Sequence, residues 1–264
     1  MFARTVVDMH TYRFADSARS LIYGLIWLAV LYFSYSYTYV CHAASLGIDP
    51  IRIELSEAQP SNVIKVENTS DAVMTLQLQP MSWSQEEKID QLTPTRDILA
   101  TPQVFRIKPG AVQWVRVGLL RKPDSKKELA FRLLLDEVPP PPAPDFKGLQ
   151  VALRVSVPVF IKALQPSAAD LSFFVSPVDE DKLRLILNNK GNEHAHWDGL
   201  QLRDENHAEQ IITSLDKSIY VLPGEQKEVL LTKDKNTSKN PEKIFIKAKT
   251  IAGTLEFHGI SVAP

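Results

Sequence analysis

The chain is short of several things. Its 264 residues include one cysteine, ten glycines and no real surplus of either charge, with 30 Lys+Arg against 31 Asp+Glu. A single cysteine excludes a disulfide framework within the chain and any multi-cysteine zinc or iron–sulfur site. Ten glycines are about half the usual share, which argues against glycine-rich phosphate loops. A net charge of −1 offers no basic surface for nucleic acid. Hydrophobic residues at 44% and charged residues at 23% exclude wholesale disorder. At ~100–200 residues per domain the length fits one or two domains. These absences argue against a redox, metal or nucleotide enzyme. The expectation is no cofactor, no metal, no nucleic acid and no small-molecule substrate.

Catalytic signatures are equally scarce. There is no Gly-x-Ser-x-Gly elbow of the serine hydrolases. His194-Ala-His196 is the one cluster with metal-like spacing, and Asp198 is its nearest downstream carboxylate. Two ligands fall short of the three or four a zinc site takes, so a structural role is expected. Asp179-Glu-Asp181 reads as a solvated turn, and Asn236-Thr-Ser238 is a formal glycosylation triplet.

The one long apolar run lies near the start. Leu21–Phe33 is free of charge and continues uncharged through Val40, behind a segment carrying Arg4, Arg13 and Arg19. With Cys41-His42-Ala43 as its small-residue end, residues 1–43 have the parts of a secretory signal peptide. The run is also long enough to span a bilayer, so a retained anchor is the alternative. Bulky Tyr39 and Val40 disfavour Cys41 as a lipoprotein cysteine.

Beyond Ser45 the sequence reads as strands. Apolar and polar residues alternate in short bursts, the period of half-buried strands. The bursts are Ile48, Ile51–Leu55, Asn62–Val66, Met74–Leu78, Val104–Ile107, Val112–Val117 and Leu129–Leu135. Turn signals such as Asn68-Thr69-Ser70-Asp71 and Lys108-Pro109-Gly110 separate them. A proline run, Val138–Pro144, precedes an expected long strand, Leu149–Ile161. After Leu164–Ser167 a second series follows: Leu171–Val175, Leu183–Leu187, Gly199–Leu202, Ile219–Leu222, Glu228–Leu231, Ile244–Lys249 and Thr254–Ser261. The spacing predicts an all-β protein of two immunoglobulin-like β-sandwich domains, 45–164 and 165–264. No fixed-length repeat is strong enough to suggest an array.

Five segments in order carry a family likeness: Pro50-Ile51-Arg52, Ile107–Val117 (IKPGAVQWVRV), Phe131–Pro139 (FRLLLDEVP), Gly148–Phe160 (GLQVALRVSVPVF) and Tyr220–Gly224 (YVLPG). Together they resemble the periplasmic pilus-assembly chaperones of the chaperone–usher pathway, the PapD-like family, over about residues 46–264. The resemblance implies two sandwiches at an angle with a cleft between them, periplasmic location and no enzymatic activity. It implies pilus subunits and an outer-membrane usher as partners, with self-association when unloaded. The subunits of this pathway lack a strand, and the chaperone supplies one by strand addition.

In that reading Leu149, Val151 and Leu153 are the donor-strand plug, sharing one face by alternation. Burying three large aliphatics stabilises a complex by ~5–9 kcal/mol before ordering costs, at about 1.5–3 each. The alternative is that they fill their own core. Arg52 corresponds to the family's cleft arginine, which binds the subunit's terminal carboxylate through paired, charge-assisted hydrogen bonds. The family's second anchor is a lysine, and the alignment puts Pro158 in its place. Arg154, four residues earlier on the same face, is expected to supply the charge, unless the carboxylate is held by fewer contacts. Glu128 and Lys162 correspond to an interdomain ion pair of the family, or are two unrelated surface charges. Pro102 is followed by Gln103 where the family has a second proline, which puts a cis bond there in question. A pilin-like structural or adhesive sandwich is the competing class. It would need a missing or swapped strand, or an extended N-terminal donor segment, for which residues 44–50 are too short.

Overall fold

The computed structural model describes residues 46–142, 144–145, 147–204, 210–234, 243–250 and 253–260. The leader 1–43, the Asn236-Thr-Ser238 triplet and the last residue of the Thr254–Ser261 burst lie outside them. Among the described residues every regular element is a strand. The first sandwich contains β1 (Leu46–Asp49), β2 (Ile53–Leu55), β3 (Ser61–Asn68), β4 (Met74–Glu86), β5 (Ile89–Pro94), β6 (Ile98–Thr101), β7 (Val104–Ile107), β8 (Val112–Leu119), β9 (Leu129–Glu137) and β10 (Arg154–Ile161). One of its sheets has the order β1-β3-β8-β6; the other runs β2-β10-β9-β4-β5, with β7 also on β4. The opening segment changes sheets at Asp49–Pro50, a cis bond, so Ile51 is exposed where a continuous strand was expected.

The second sandwich contains β11 (Leu171–Pro177), β12 (Lys182–Asn189), β13 (Ala195–Trp197), β14 (Gly199–Asp204), β15 (Ile211–Leu215), β16 (Ile219–Val221), β17 (Gln226–Thr232), β18 (Lys243–Thr250) and β19 (Gly253–Ile260). Its sheets are β11-β12-β17, β13-β16 and β15-β14-β18-β19. Each sandwich has its own core: Ile53, Ile64, Leu76, Val117, Leu133 and Val159 are central to the first, Leu185, Leu202, Ile212 and Ile246 to the second. Alternation makes these cores, because every second side chain of a strand faces the opposing sheet.

The two sandwiches share a construction that the sequence did not display as a repeat. Asn68, fully buried at the end of β3, donates to the carbonyls of Ala72 (2.7 Å) and Ile107 (3.0 Å). Asn189, fully buried at the end of β12, donates to those of Glu193 (2.7 Å) and Val221 (3.2 Å). Each asparagine thus closes its turn and ties it to the strand before a Pro-Gly turn. In those turns Ala111 N–H reaches Lys108 O at 3.0 Å and Glu225 N–H reaches Leu222 O at 3.1 Å. Gly110 (φ 67°) and Gly224 (φ 70°) take the third position, the place in a type II turn that needs positive φ.

The expected strand Leu149–Ile161 is corrected at its start: regular structure begins at Arg154. The facing strand explains this. β9 ends at Glu137, and the chain beyond it is Val138 followed by prolines without N–H donors. Leu153 is the last residue with a ladder-like partner, its carbonyl accepting from Glu137 N–H at 2.8 Å and its N–H donating to Glu137 Oε2 at 3.0 Å. The Thr101–Pro102 bond is cis although Gln103 follows it.

Candidate functional site

The site is built from β10 and its surroundings. On one side β10 pairs with β9 along its whole length, Arg154↔Asp136 through Ile161↔Leu129. On the other it pairs, in parallel, with β2 only from Val159↔Ile53 to Ile161↔Leu55. The edge from Arg154 to Pro158 has no strand beside it among the described residues. It leads back to the unpaired segment carrying the predicted plug. Leu149 is 86% exposed and Val151 73% exposed, while Leu153 is half-buried. Large aliphatics so exposed on backbone with open hydrogen-bonding groups are a template for another strand.

Cross-strand register sets the face of this sheet that is turned away from the first core. Arg154, Ser156, Pro158 and Phe160 alternate on it, while Val157, Val159 and Ile161 enter the first core. In the Arg154 row the guanidinium is occupied: Nε bonds Asp136 Oδ1 and Nη2 bonds Asp136 Oδ2 at 3.1 Å. This bidentate contact raises the Arg154 pKa further above its ordinary value. Four residues along, Pro158 stands opposite Arg132 of β9. Arg132 was not among the expected residues, yet it lies over Trp83 with its Cζ 3.7 Å from the ring centroid and 5.1 Å from that of Tyr220. Burial holds its pKa below the ordinary value, partly offset by Tyr220 and Asp90. On the far side of Pro158, Arg52 immediately precedes β2 and pairs with Glu54 at 3.3 Å.

Glu128 and Lys162 do not pair with each other; the expected partnership is corrected. Lys162 Nζ lies 3.1 Å from Glu54, within the first sandwich. Glu128 is buried and reaches the second sandwich instead, accepting from His194 N–H at 3.3 Å with His194 Nδ1 2.7 Å from the same oxygen. The His194 ring stacks on Phe160 at 3.6 Å between centroids, almost parallel. His196, on the same face of its strand, stacks on Tyr220 at 4.1 Å and places Nε2 2.7 Å from Ser218 Oγ. His194 is therefore an interface side chain, and His196 packs within the second sandwich against Tyr220.

A small apolar cluster of Trp83, Ala130, Phe160 and Leu222, with Tyr220 against it, joins the sandwiches. Gln85 clamps it. Nearly fully buried, Gln85 donates to Tyr220 O at 2.9 Å and to Asp90 Oδ1 at 2.8 Å, and accepts from Leu222 N–H at 2.9 Å. Burial alone would raise the Asp90 carboxyl, but hydrogen bonds from Lys227 and Gln85 hold it below the usual range. No sequence motif pointed to Gln85. The one available signal for Arg132 was a lone cation inside the apolar run Phe131–Leu135.

The first sandwich thus carries an open stretch of strand edge next to an exposed aliphatic segment. Residues 45–167 match the family described as pili and flagellar-assembly chaperone, PapD N-terminal domain. The match covers the first sandwich and ends where the second begins. Solved structures agree in fold. A chain of the CsuC–CsuE chaperone–tip adhesion subunit pre-assembly complex of Acinetobacter baumannii is 19% identical with a TM-score of 0.58, over 83% of this chain and 100% of that one. The Pseudomonas aeruginosa CupB2 chaperone is 17% identical with a TM-score of 0.54, over 82% and 100%. A chain of the Salmonella enterica SafA pilin–SafB chaperone complex is 15% identical with a TM-score of 0.55, over 83% and 97%. Among curated proteins no relative matches.

Proposed function

We propose that this chain is a periplasmic chaperone that caps pilus subunits by lending them the strand from Leu149 onward, and then delivers them to an outer-membrane usher. The chaperone domain is 45–164, the second domain 165–264, and residues 1–43 are the export signal. The observation that carries the reading is the exposure of Leu149 and Val151 on an unpartnered segment contiguous with the open edge of β10. The family match and the fold shared with chaperones crystallised with a tip adhesion subunit and a pilin support it.

The mechanism follows from edge-strand physics. A subunit with a missing strand exposes an apolar groove and unpaired backbone, both aggregation hazards. Backbone pairing along residues 149–157 satisfies the hydrogen bonds, and Leu149, Val151 and Leu153 fill the groove. Arg52 sits where β2 blocks further pairing, so it meets the end of the captured strand and holds its carboxylate. Release needs neither nucleotide nor catalysis if the next subunit's own segment packs better.

Co-expression with pilin-like subunits, followed by tagged recovery from the periplasm, tests this. The wild-type chain is expected to recover soluble subunit, and Val151→Asp to recover little. Equal recovery by both would overturn the plug assignment.

A further inference from the structure

We infer that Glu137 and Gln150 are positioning residues: their side chains replace a backbone ladder that the proline run cannot form, and hold the donor segment extended and in register before any subunit arrives. This rests on the strand-capture reading above and adds to it how the segment is presented.

Register carries the argument. The β9–β10 ladder ends at Arg154↔Asp136. The same register continued sets Leu153 opposite Glu137, Val151 opposite Pro139, Gln150 opposite Pro140 and Leu149 opposite Pro141. Antiparallel backbone bonds fall on alternate pairs. Leu153 takes one of them, its carbonyl accepting from Glu137 N–H at 2.8 Å. The next two would need N–H groups from Pro139 and Pro141, which have none. Backbone pairing therefore stops at Leu153, and side chains take over. Glu137 Oε2 accepts from Leu153 N–H at 3.0 Å, in the place that the Glu137 carbonyl fills in a regular pair. Gln150 Nε2 donates at 2.9 Å to the carbonyl of Pro140, the residue that the continued ladder sets opposite it. Arg154 adds a third tie, its guanidinium on both Asp136 oxygens.

These ties leave free what a client needs. By alternation Gln150 and Arg154 stand on the face opposite Leu149 and Val151, whose side chains stay exposed. The same alternation turns the backbone groups of Gln150 and Ala152 away from the proline arm, toward the edge where a captured strand pairs. Register matters at this point, because a slip of one residue would present Gln150 and Ala152 to the groove in place of Leu149 and Val151. A segment already extended also has less conformational freedom to lose when it is captured.

The test uses the full exported chain and a dye-labelled extended peptide of alternating valine and threonine, mixed by stopped flow. Association is expected to slow about threefold in Glu137→Ala and in Gln150→Ala and about tenfold in the double variant, with dissociation and melting temperature unchanged. Glu137→Gln keeps a side-chain oxygen for Leu153 N–H and is expected to restore the wild-type rate to within about twofold. A second measurement needs no peptide: exchange of the Leu153 amide in the free chain is expected to quicken in Glu137→Ala and not in Glu137→Gln. Wild-type association in the double variant overturns the positioning role, as does Glu137→Gln proving as slow as Glu137→Ala. A fall in melting temperature that parallels the loss of rate overturns it too, since the residues would then serve the fold. Failure of the wild type to bind the peptide overturns strand capture itself. Leu153 exchange then decides the side-chain ties alone, and equal exchange in wild type and Glu137→Ala overturns them.

Discussion

At the scale of residues, the interface between the sandwiches depends on a few buried polar groups whose partners are specific. Gln85→Ala would strand the N–H of Leu222 and the carbonyl of Tyr220 in a buried site. At ~1–3 kcal/mol for each of the two stranded groups, a loss of about 2–6 kcal/mol is expected, read as a lower urea midpoint with unchanged slope. His196 gives the fold a pH dependence. Burial holds its pKa below 6.5, with Arg52, His194 and Arg132 pushing the same way and Asp198 opposing. The unfolded chain therefore binds more protons just below pH 6.5. The stability associated with neutral His196 is complete above that value and is lost as pH falls through the depressed folded pKa. Urea midpoints on either side of pH 6.5 are expected to fall further in wild type than in His196→Phe, which keeps the stack on Tyr220. Equal falls would mean that other groups set the acid sensitivity.

At the scale of elements, β10 changes character along its length. From Val157 onward it is core; before Arg154 it is bare. Val151→Asp should consequently leave the stability of the free chain within about 0.5 kcal/mol, because an exposed side chain away from any buried group costs little. A large fall in melting temperature would show that Val151 packs at home. The same contrast explains what the sequence disclosed. Strands with strict alternation and good turn chemistry, such as β7, β8 and β12, were legible because period and punctuation agreed. β5 was not. Its hairpin to β4 turns on Glu87 and Lys88, both at positive φ, instead of the Asn-Gly or Asp-Gly that marks such turns, and its side chains are all exposed. The start of the long strand was misplaced for a different reason. Period-two patterning records which face a residue will show, whereas a strand exists only where a neighbour pairs with it, and here β9 ends at Glu137 with prolines following. Arg52 was singled out through its motif, and it stands immediately before β2, paired with Glu54. Arg132 and Gln85 were hidden because their roles depend on cross-strand partners distant in sequence, which no local spacing encodes.

At the scale of the whole molecule, the chain is two sandwiches with separate cores, joined by a small aromatic cluster, a buried glutamine clamp and the Glu128–His194 contact. That junction sets the row of cations where the open edge of β10 stops. On the proposed reading a second copy caps that edge when no subunit is bound. Sedimentation is expected to show association that rises with concentration and is abolished by Val151→Asp, whereas a monomer independent of dilution would contradict self-capping. The central claim, that the segment from Leu149 onward becomes a strand only in a client, is tested most directly by backbone hydrogen exchange of the chain alone and co-purified with a pilus subunit. The account predicts fast exchange over residues 149–152 in the free chain and strong protection of the same amides in the complex. Protection confined to other surfaces, with these amides exchanging as freely as before, would contradict it.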